Sequence, residues 1–163
     1  MSEESSYESD TLCGGHAPPC VTQFAVFLDN KVGKMLDLVT QFDDDPICHI
    51  CAISVHEASD HAVVRVITNH ANRARSILRS HNLAISETDL LVIELTNGHT
   101  ISSMCVHLLG AELFIRFSYA LMLRPNGTPT IAVAVDDITL AGQILNRKGY
   151  RLLGECDLPK PAA

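Results

Sequence analysis

Residues 74–85 read Ala-Arg-Ser-Ile-Leu-Arg-Ser-His-Asn-Leu-Ala-Ile, and residues 141–152 read Ala-Gly-Gln-Ile-Leu-Asn-Arg-Lys-Gly-Tyr-Arg-Leu. The alanine and the Ile-Leu pair recur 67 positions further on (141 − 74). Residues 66–69 fall on residues 133–136 at the same offset. A repeat of this length is about one small domain and not a solenoid unit. The sequence therefore predicts two related halves, residues 21–87 and residues 88–156.

Each half is predicted to have the element order βαββαβ. In the first half, strands are predicted over residues 23–28, 47–55, 62–68 and 83–86, with helices that begin near residues 34 and 70. In the second half, strands are predicted over residues 90–95, 112–123, 130–135 and 150–154, with helices over 101–109 and 138–148. Met35, Leu38, Val39 and Phe42 have the spacing of an amphipathic helix. This order predicts an α+β fold of two ferredoxin-like halves, with antiparallel sheets and helices on one face.

The strand predicted over residues 112–123 has apolar side chains on both faces. Strict alternation places one set on one face and Phe114, Ala120 and Met122 on the other. The first set consists of Leu113, Ile115, Phe117, Tyr119 and Leu121. We therefore expect the helix-free face to meet another sheet, within the chain or across a dimer, and we predict a homodimer.

Composition narrows the class of protein. The 163 residues are 47% hydrophobic and 19% charged, with a net charge of −7, which excludes a disordered chain and argues against a nucleic-acid partner. Apolar runs are too short for a membrane-spanning helix, so no membrane partner is expected. Residues 1–20 contain four acidic residues and no Lys or Arg, and are predicted to be a disordered tail. Residues 157–163 are predicted to be a C-terminal tail.

The sequence lacks the pattern of a secretory signal, so a cytoplasmic location and reduced cysteines are expected. Cys51 and Cys105 are predicted to be core residues. The loop after the first strand has no Arg to hold a phosphate and no Cys-x-x-Cys to carry a metal ion. No nucleophile and base are paired in the sequence, so a catalytic function is not expected.

The loop after the first strand carries a family resemblance. Residues 28–35 read Leu-Asp-Asn-Lys-Val-Gly-Lys-Met, which resembles the ACT domain. That family has an Asn, a variable or basic residue, usually Pro, and then Gly before a hydrophobic helix start. Val32 stands where Pro is usual. The resemblance covers about residues 22–154 and includes the repeat.

The resemblance implies a ligand site, most often for an amino acid, between this loop and the second strand of a neighbouring domain. In the first half, the resemblance implies that the ligand-binding residues of the loop are Asp29, Asn30, Lys31, Val32, Gly33, Lys34 and Met35. His49 and Ile50 lie where the family's second-strand contacts occur, and the family often has Asn at the position of His49. The corresponding second loop contains Asn97, Gly98, His99 and Thr100, but its glycine is displaced by about one position. Thr100 could equally be the N-cap of a helix that begins at Ile101.

The resemblance implies a non-catalytic regulatory protein that binds an amino acid without a cofactor and acts on a metabolic partner. The alternative is a regulatory or assembly subunit that binds no ligand. A second alternative is that Asn30 and Gly33 only form a turn and cap a helix. A zinc site is the third, because two cysteine pairs and several histidines could supply its ligands. Those residues are Cys13, His16, Cys20, Cys48, His49 and Cys51.

Overall fold

The computed structural model describes residues 17–96 and 98–159. The first half contains β1 (Val21–Asp29), α1 (Lys34–Asp43), β2 (Ile50–Glu57), β3 (His61–Thr68), α2 (Ala71–Ser80) and the start of β4 (Ala84–Glu94). The second half contains the end of β4, α3 (Ile101–Leu109), β5 (Ile115–Ala120), β6 (Thr130–Val135), α4 (Ile138–Arg147) and β7 (Arg151–Leu153). A short 3-10 helix, Glu155–Asp157, follows. The repeated βαββαβ order is therefore confirmed.

Strand β4 belongs to both halves. Its first part, residues 84–90, pairs antiparallel with β1. Residues 91–94 pair antiparallel with β6, and residues 92–94 also pair antiparallel with β7. The first half has the strand order β4-β1-β3-β2, and the second half has the order β7-β4-β6-β5. The prediction of two separate strands, over residues 83–86 and 90–95, was wrong. No Gly or Pro interrupts the polar residues between them, so the chain stays extended, and the predicted boundary at residues 87 and 88 falls inside one strand.

Three apolar clusters form the core. In one, α1 and α2 pack on the sheet of the first half, and in another α3 and α4 pack on the sheet of the second half. The third lies between the helix-free faces of the two sheets and includes Cys51, Ile67, Val92 and Ala132, all fully buried. The helix-free sheet faces therefore meet within the chain.

Specific contacts join the strands of the two halves. The Tyr119 hydroxyl donates a hydrogen bond to Oε1 of buried Gln23 at 2.6 Å. The guanidinium of Arg65 lies 4.3 Å from the centre of the Phe117 ring, a cation–π geometry. After β5, the backbone N–H of Met122 donates to the carbonyl of Cys51 in β2 at 2.9 Å, which brings the two outer strands together.

A β-bulge at Arg116 changes which face of the sheet the side chains of β5 occupy, compared with the prediction. Ile115 pairs with Val135, but Phe117 pairs with Ala134, so one extra residue lies between the two register positions. Leu113 and Ile115 therefore pack on the helix side, whereas Phe117, Tyr119 and Leu121 pack between the sheets. The prediction that all five share one face was wrong. The first half has the same irregularity in β2, between Ile50 and Ala52.

The ends of the described chain pack on the folded halves. Leu158, from the predicted C-terminal tail, is 2% exposed and belongs to the cluster between the sheets. Glu155 accepts a hydrogen bond from the backbone N–H of Ala71 at 2.9 Å and so ties the end of the chain to the start of α2. Pro18, from the predicted N-terminal tail, lies so close to Gly142 in α4 that a Cβ on Gly142 would clash with the proline ring. Residues 1–16 lie outside the described residues.

The two cysteines that were predicted to be core residues differ in burial. Cys51 is fully buried as predicted, but Cys105 lies on the exposed side of α3, so its predicted core position was wrong.

In the described part of the chain, no helix is long and apolar enough to cross a membrane.

Candidate functional site

The loop between β1 and α1 is a tight turn that ends in a glycine. The backbone N–H of Lys31 donates to the carbonyl of Asp29 at 2.8 Å, and that of Lys34 donates to the carbonyl of Lys31 at 3.3 Å. Gly33 has a φ of 90°, a left-handed conformation that side chains rarely adopt. A Cβ on Gly33 would meet no described atom within 4 Å, so the backbone here is open to a ligand.

Helix α1 begins without a side-chain cap. Its N-cap is Gly33, and its first helical hydrogen bond runs from the N–H of Asp37 to the carbonyl of Gly33 at 3.0 Å. The other α-helices in the described residues are capped by His70, Thr100 and Asp137. The first turn of a helix has N–H groups with no helical acceptor and carries the positive end of the helix dipole. The start of α1 therefore offers an anion a site that the other helix starts close with their own side chains.

Side chains of both charge signs surround the loop. The amide of Asn30 donates from Nδ2 to Oε1 of Glu57 at 3.3 Å. Lys31 lies 3.6 Å from the carboxylate of Asp29, and both side chains are about seven-tenths exposed. The ammonium of Lys34 lies 4.0 Å from the carboxylate of Asp37, in the first turn of α1. Ion pairs this exposed contribute little to stability, so a ligand could replace them at low cost.

Two apolar side chains border the loop. Val32 is fully exposed and Met35 is 42% exposed. Neither position serves the core, which α1 contacts through Leu38 and Phe42. An apolar ligand side chain could therefore lie against Val32 and Met35.

Glu57 is a candidate site residue that sequence analysis missed. It lies 27 positions after Asn30 and ends β2 at the hairpin to β3. Pairing of β3 with both β1 and β2 brings the two residues together. An acidic residue beside a turn has no local signal that points to this contact, because the proximity depends on the strand order.

The structure does not bring His49 and Ile50 to this loop. Ile50 pairs with Thr68 at the end of β3, whereas Asp29, at the loop, pairs with His61 at its start. Seven steps along a strand separate those positions, which is about 23 Å. His49 therefore lies at the other end of the sheet, and only another copy of the chain could bring it to this loop.

The backbone around His49 is held by a buried asparagine. Oδ1 of Asn69 accepts from the N–H of His49 at 2.7 Å, and its Nδ2 donates to the carbonyl of Ile47 at 3.1 Å. Asp45 accepts from the N–H groups of Ile47 and Cys48, which holds the same segment from its other side. Nε2 of His49 is buried without a hydrogen-bond partner in the described part of the chain.

The second loop is closed by His99. Nδ1 of His99 hydrogen-bonds the hydroxyl of Thr96 at 3.0 Å, and Nε2 hydrogen-bonds the carbonyl of Lys148 at 3.2 Å. The ring also lies 4.1 Å from that of Tyr150, centre to centre. Both nitrogens of this predicted ligand contact therefore already have partners within the protein.

Thr100 acts as a helix cap. Its hydroxyl accepts from the N–H of Ser103 at 3.1 Å, and the Ser103 hydroxyl accepts from the N–H of Thr100 at 3.0 Å. This capping box occupies the helix start that is open in the first half. Gly98 has a φ of 87° and forms the turn, and Asn97 lies outside the described residues. The two loops share a position in the fold but differ in their access to a ligand.

Two open grooves lie on the outer side of the first half. Their volumes are about 340 and 470 Å³, and Gln41, Asp44 and His81 contribute to both. In the smaller groove, Nε and Nη2 of Arg73 each lie 2.7 Å from Oδ2 of Asp45. Burial alone would raise the pKa of Asp45, but hydrogen bonds from Arg73 and the backbone lower it. Neither groove includes residues 29–33, so neither is part of the candidate site.

The two buried cysteines have thiols with raised pKa values. Burial raises the pKa of Cys48 to about 11 and that of Cys51 to about 12, so both thiols stay protonated at neutral pH. In residues 17–96 and 98–159, no group of three or more His, Cys, Asp or Glu side chains is arranged to hold a metal ion. Cys13 and His16, which the zinc alternative also needs, lie outside the described residues.

Comparisons with known proteins agree with this architecture. Among curated proteins, none matches the sequence. Protein BT0572 from Bacteroides thetaiotaomicron has a similar structure, with a TM-score of 0.74 and 19% identity, over 86% of this chain and 96% of that one. The ligand-free regulatory subunit of aspartate kinase from Thermus thermophilus is also similar, with a TM-score of 0.52 and 8% identity, over 80% of this chain and 93% of that one. At these identities, both likenesses show the fold alone.

The family assignment rests on a broader match. The family model of the ACT domain pair matches residues 19–158, which include both halves and the strand they share. The resemblance predicted from the first loop and the repeat is therefore confirmed. This chain belongs to the ACT domain pair family.

Proposed function

We propose that this protein is a non-catalytic regulator that binds a free amino acid at the β1–α1 loop of its first half. The observation that carries this proposal is the uncapped start of α1 at Gly33, beside side chains of both charge signs. A free amino acid is a zwitterion, so it needs partners for a carboxylate and for an ammonium group within a few ångströms. The loop supplies both kinds.

The ligand carboxylate would accept hydrogen bonds from the open N–H groups of the first turn of α1. Lys31, in the loop, and Lys34, at the first position of α1, would add positive charge beside those N–H groups. The ligand ammonium would bind the amide oxygen of Asn30 and the carboxylate of Glu57, which the Asn30–Glu57 contact already places together. Val32 and Met35 would contact an apolar side chain of the ligand.

One site per chain is expected. His99 and the Thr100–Ser103 capping box fill the second loop with internal hydrogen bonds. A ligand there would have to break those bonds before it could form its own. His49 would take part only if a second copy of the chain brought it to the first loop, as in a homodimer with a shared site.

A screen of the twenty amino acids by thermal shift tests the proposal. A ligand at 100 times its Kd stabilises the folded state by about 2.7 kcal/mol. For a chain of this size, that corresponds to a rise in Tm of about 5–11 °C. If none of the twenty shifts the Tm, the ligand proposal is wrong, and an assembly subunit that binds no ligand becomes the better description.

Calorimetric titration with the selected amino acid then locates the site. Asn30→Ala should lower the affinity at least tenfold, because it removes a hydrogen bond to a charged group worth about 1.5–3 kcal/mol. Asn146→Ala, at an exposed position on α4, is the matched control and should bind like the wild type. Equal affinity for Asn30→Ala and the wild type would show that Asn30 only shapes the turn.

Ligand analogues and further variants test the binding geometry. The C-terminal amide of the same amino acid should bind at least tenfold more weakly, because it has no negative charge to place at the start of α1. His99→Ala should leave the affinity unchanged if the second loop is not a site. His49→Ala should weaken binding only if the site is shared between two copies.

A further inference from the structure

The two grooves on the outer side of the first half run along helices α1 and α2. Their volumes of about 340 and 470 Å³ adjoin each other, since Gln41, Asp44 and His81 contribute to both. The larger groove also contacts Asp37 in the first turn of α1, and the smaller one reaches Arg73 near the start of α2. The candidate ligand site uses neither groove, so this surface has no assigned role.

The end of α1 carries charge of the unfavourable sign. The carbonyl groups at the end of a helix form the negative end of its dipole, so basic side chains are favourable there. Helices α2 and α4 have Arg79 and Arg147 in their last turns, whereas the last turn of α1 has no basic residue. Residues 43–45 read Asp-Asp-Asp instead. This end of α1 therefore attracts a cation.

The carboxylates along the grooves are only partly compensated. Nε and Nη2 of Arg73 each lie 2.7 Å from Oδ2 of Asp45, so that carboxylate has its cation. Asp44 is exposed, and its carboxylate has no partner in the described part of the chain. Asp37 lies 4.0 Å from Lys34, and an exposed pair at that distance contributes little. The larger groove therefore keeps uncompensated negative charge at both of its ends.

The polar atoms that the grooves leave free are acceptors. The hydroxyl donors are used within the helices: those of Thr40, Ser76 and Ser80 donate to backbone carbonyls of their own helices. Oε1 of Gln41 is buried without a hydrogen-bond partner among the residues that the structure describes. Nδ1 of His81 lies 2.9 Å from a carbonyl of α2, which can only accept, so a neutral ring keeps Nε2 as an acceptor. An occupant of the grooves therefore needs donors and positive charge.

We propose that the two grooves bind a basic helical segment of the protein that this chain regulates. Arg and Lys side chains carry only donors at their charged ends, so they complement the free acceptors. Asp37 and Asp44 are seven positions apart, about 10.5 Å along α1, which matches two basic residues with the same spacing on a partner helix. Leu36, which is 66% exposed in the larger groove, contacts an apolar side chain between those two.

The shape of the grooves favours a protein segment over other sources of positive charge. Small ligands usually bind in cavities that enclose most of their surface, whereas these grooves are open along their length. Residues 1–20 of the chain itself contain no Lys or Arg, and a second copy carries a net charge of −7, so long-range repulsion opposes it. The inference rests on the proposed function only in giving the chain a partner, and it needs no bound amino acid.

Fluorescence anisotropy with a synthetic helical peptide tests the proposal. The peptide has about 15 residues, with two Arg seven positions apart and leucines between them on the same side. The wild type should bind it with a Kd below about 100 µM, and added salt should weaken the binding because opposite charges attract each other there. A peptide with Glu in place of both Arg should not bind.

Charge-neutralising variants locate the binding surface. Asp37→Asn combined with Asp44→Asn should weaken peptide binding at least tenfold, with little change in Tm because both side chains are exposed. Asp60→Asn combined with Glu112→Gln is the matched control. It removes the same two negative charges from exposed positions outside the grooves and should bind the peptide like the wild type.

Several results would overturn the proposal. These are no binding to the wild type, equal binding of the Arg and Glu peptides, or an equal loss in the two double variants. Cadaverine that binds as tightly as the peptide would assign the grooves to a small cation instead. Self-association of the wild type that the Asp37→Asn and Asp44→Asn double variant abolishes would assign them to a second copy. Peptide binding without any Tm shift from an amino acid would refute the proposed ligand and leave this inference standing.

Discussion

The hydrogen bond between Tyr119 and Gln23 gives a quantitative test of how the two halves are joined. The Tyr119 hydroxyl donates to Oε1 of Gln23 at 2.6 Å, and Gln23 is only 1% exposed. Burial raises the pKa of Tyr119 above its ordinary value, so the hydroxyl keeps its proton at neutral pH. Tyr119→Phe removes this donor and leaves the Gln23 oxygen buried without that partner.

The expected loss follows from the burial. An unsatisfied buried polar group costs about 1–3 kcal/mol, so Tyr119→Phe should lower the free energy of unfolding by that amount. Gln23→Leu should have a cost of similar size, because it leaves the Tyr119 hydroxyl without its acceptor. The double variant replaces both partners with apolar groups, so its cost should be smaller than the sum of the two by at least about 0.5 kcal/mol.

Urea unfolding followed by far-ultraviolet circular dichroism measures all three variants. The wild type should unfold in one transition, because the cluster between the sheets contains residues from both halves. Thr22→Val is the control. Thr22 precedes Gln23 on β1, and this substitution removes only an exposed hydrogen bond from the Thr22 hydroxyl to Asp89. The reasoning is refuted if Tyr119→Phe costs no more than Thr22→Val, or if the two halves unfold in separate transitions.

Three further variants test individual contacts. The pKa of Asp45 is lowered in the folded state, so its carboxylate stabilises the fold above the unfolded-state pKa, and that stability is lost as the pH falls through the folded-state pKa. Asp45→Asn should therefore make the free energy of unfolding less dependent on pH in the acid range, which urea unfolding between pH 2 and pH 7 can measure. Glu155→Ala should lower the free energy of unfolding, measured in urea, by about 0.5–2 kcal/mol because it removes the acceptor for the N–H of Ala71. Glu155→Gln keeps an acceptor oxygen and should lose much less. Gly142→Ala should lower the Tm because its Cβ would clash with the ring of Pro18, and Pro18→Gly should relieve that loss. A Gly142→Ala variant as stable as the wild type would show that Pro18 does not pack closely on α4.

The repeat in the sequence predicted the fold because its matched positions are core positions. Ala74 and Leu78 on α2 and Ala141 and Leu145 on α4 are all fully buried. Such residues reflect local periodicity and a shared packing requirement, both of which are visible in one sequence. The element order and the helix positions followed from the same kind of local pattern.

The face assignment in β5 failed because a bulge has no clear local pattern. Ile115 and Phe117 alternate as in a regular strand, yet the extra residue at Arg116 places them on opposite faces. Because of the bulge, Ile115 packs against the helix layer and Phe117 packs between the two sheets. Those two environments exist only when the two halves are assembled, so alternation alone could not reveal the change of face.

The candidate site was predicted only in its local part. Asn30 and Gly33 stand out because they occupy one short loop before a helix. Glu57 joins them only through the pairing of three strands, and the separation of His49 from them also depends on that pairing. The site therefore combines residues that a motif can identify with residues that only the topology brings together.

The two halves have the same fold but use their first loops differently, and the difference lies in which group satisfies the start of the helix. In the second half, Thr100 and Ser103 satisfy it from within the chain, and His99 anchors the loop to the end of α4. In the first half, Gly33 supplies a turn but no side chain, so the helix start is left to solvent or to a ligand. Under the proposed function, the open helix start of the first half binds the ligand and the closed start of the second half does not. The contacts of Tyr119 and Glu155 with the first half tie the half with the open helix start to the half with the closed one.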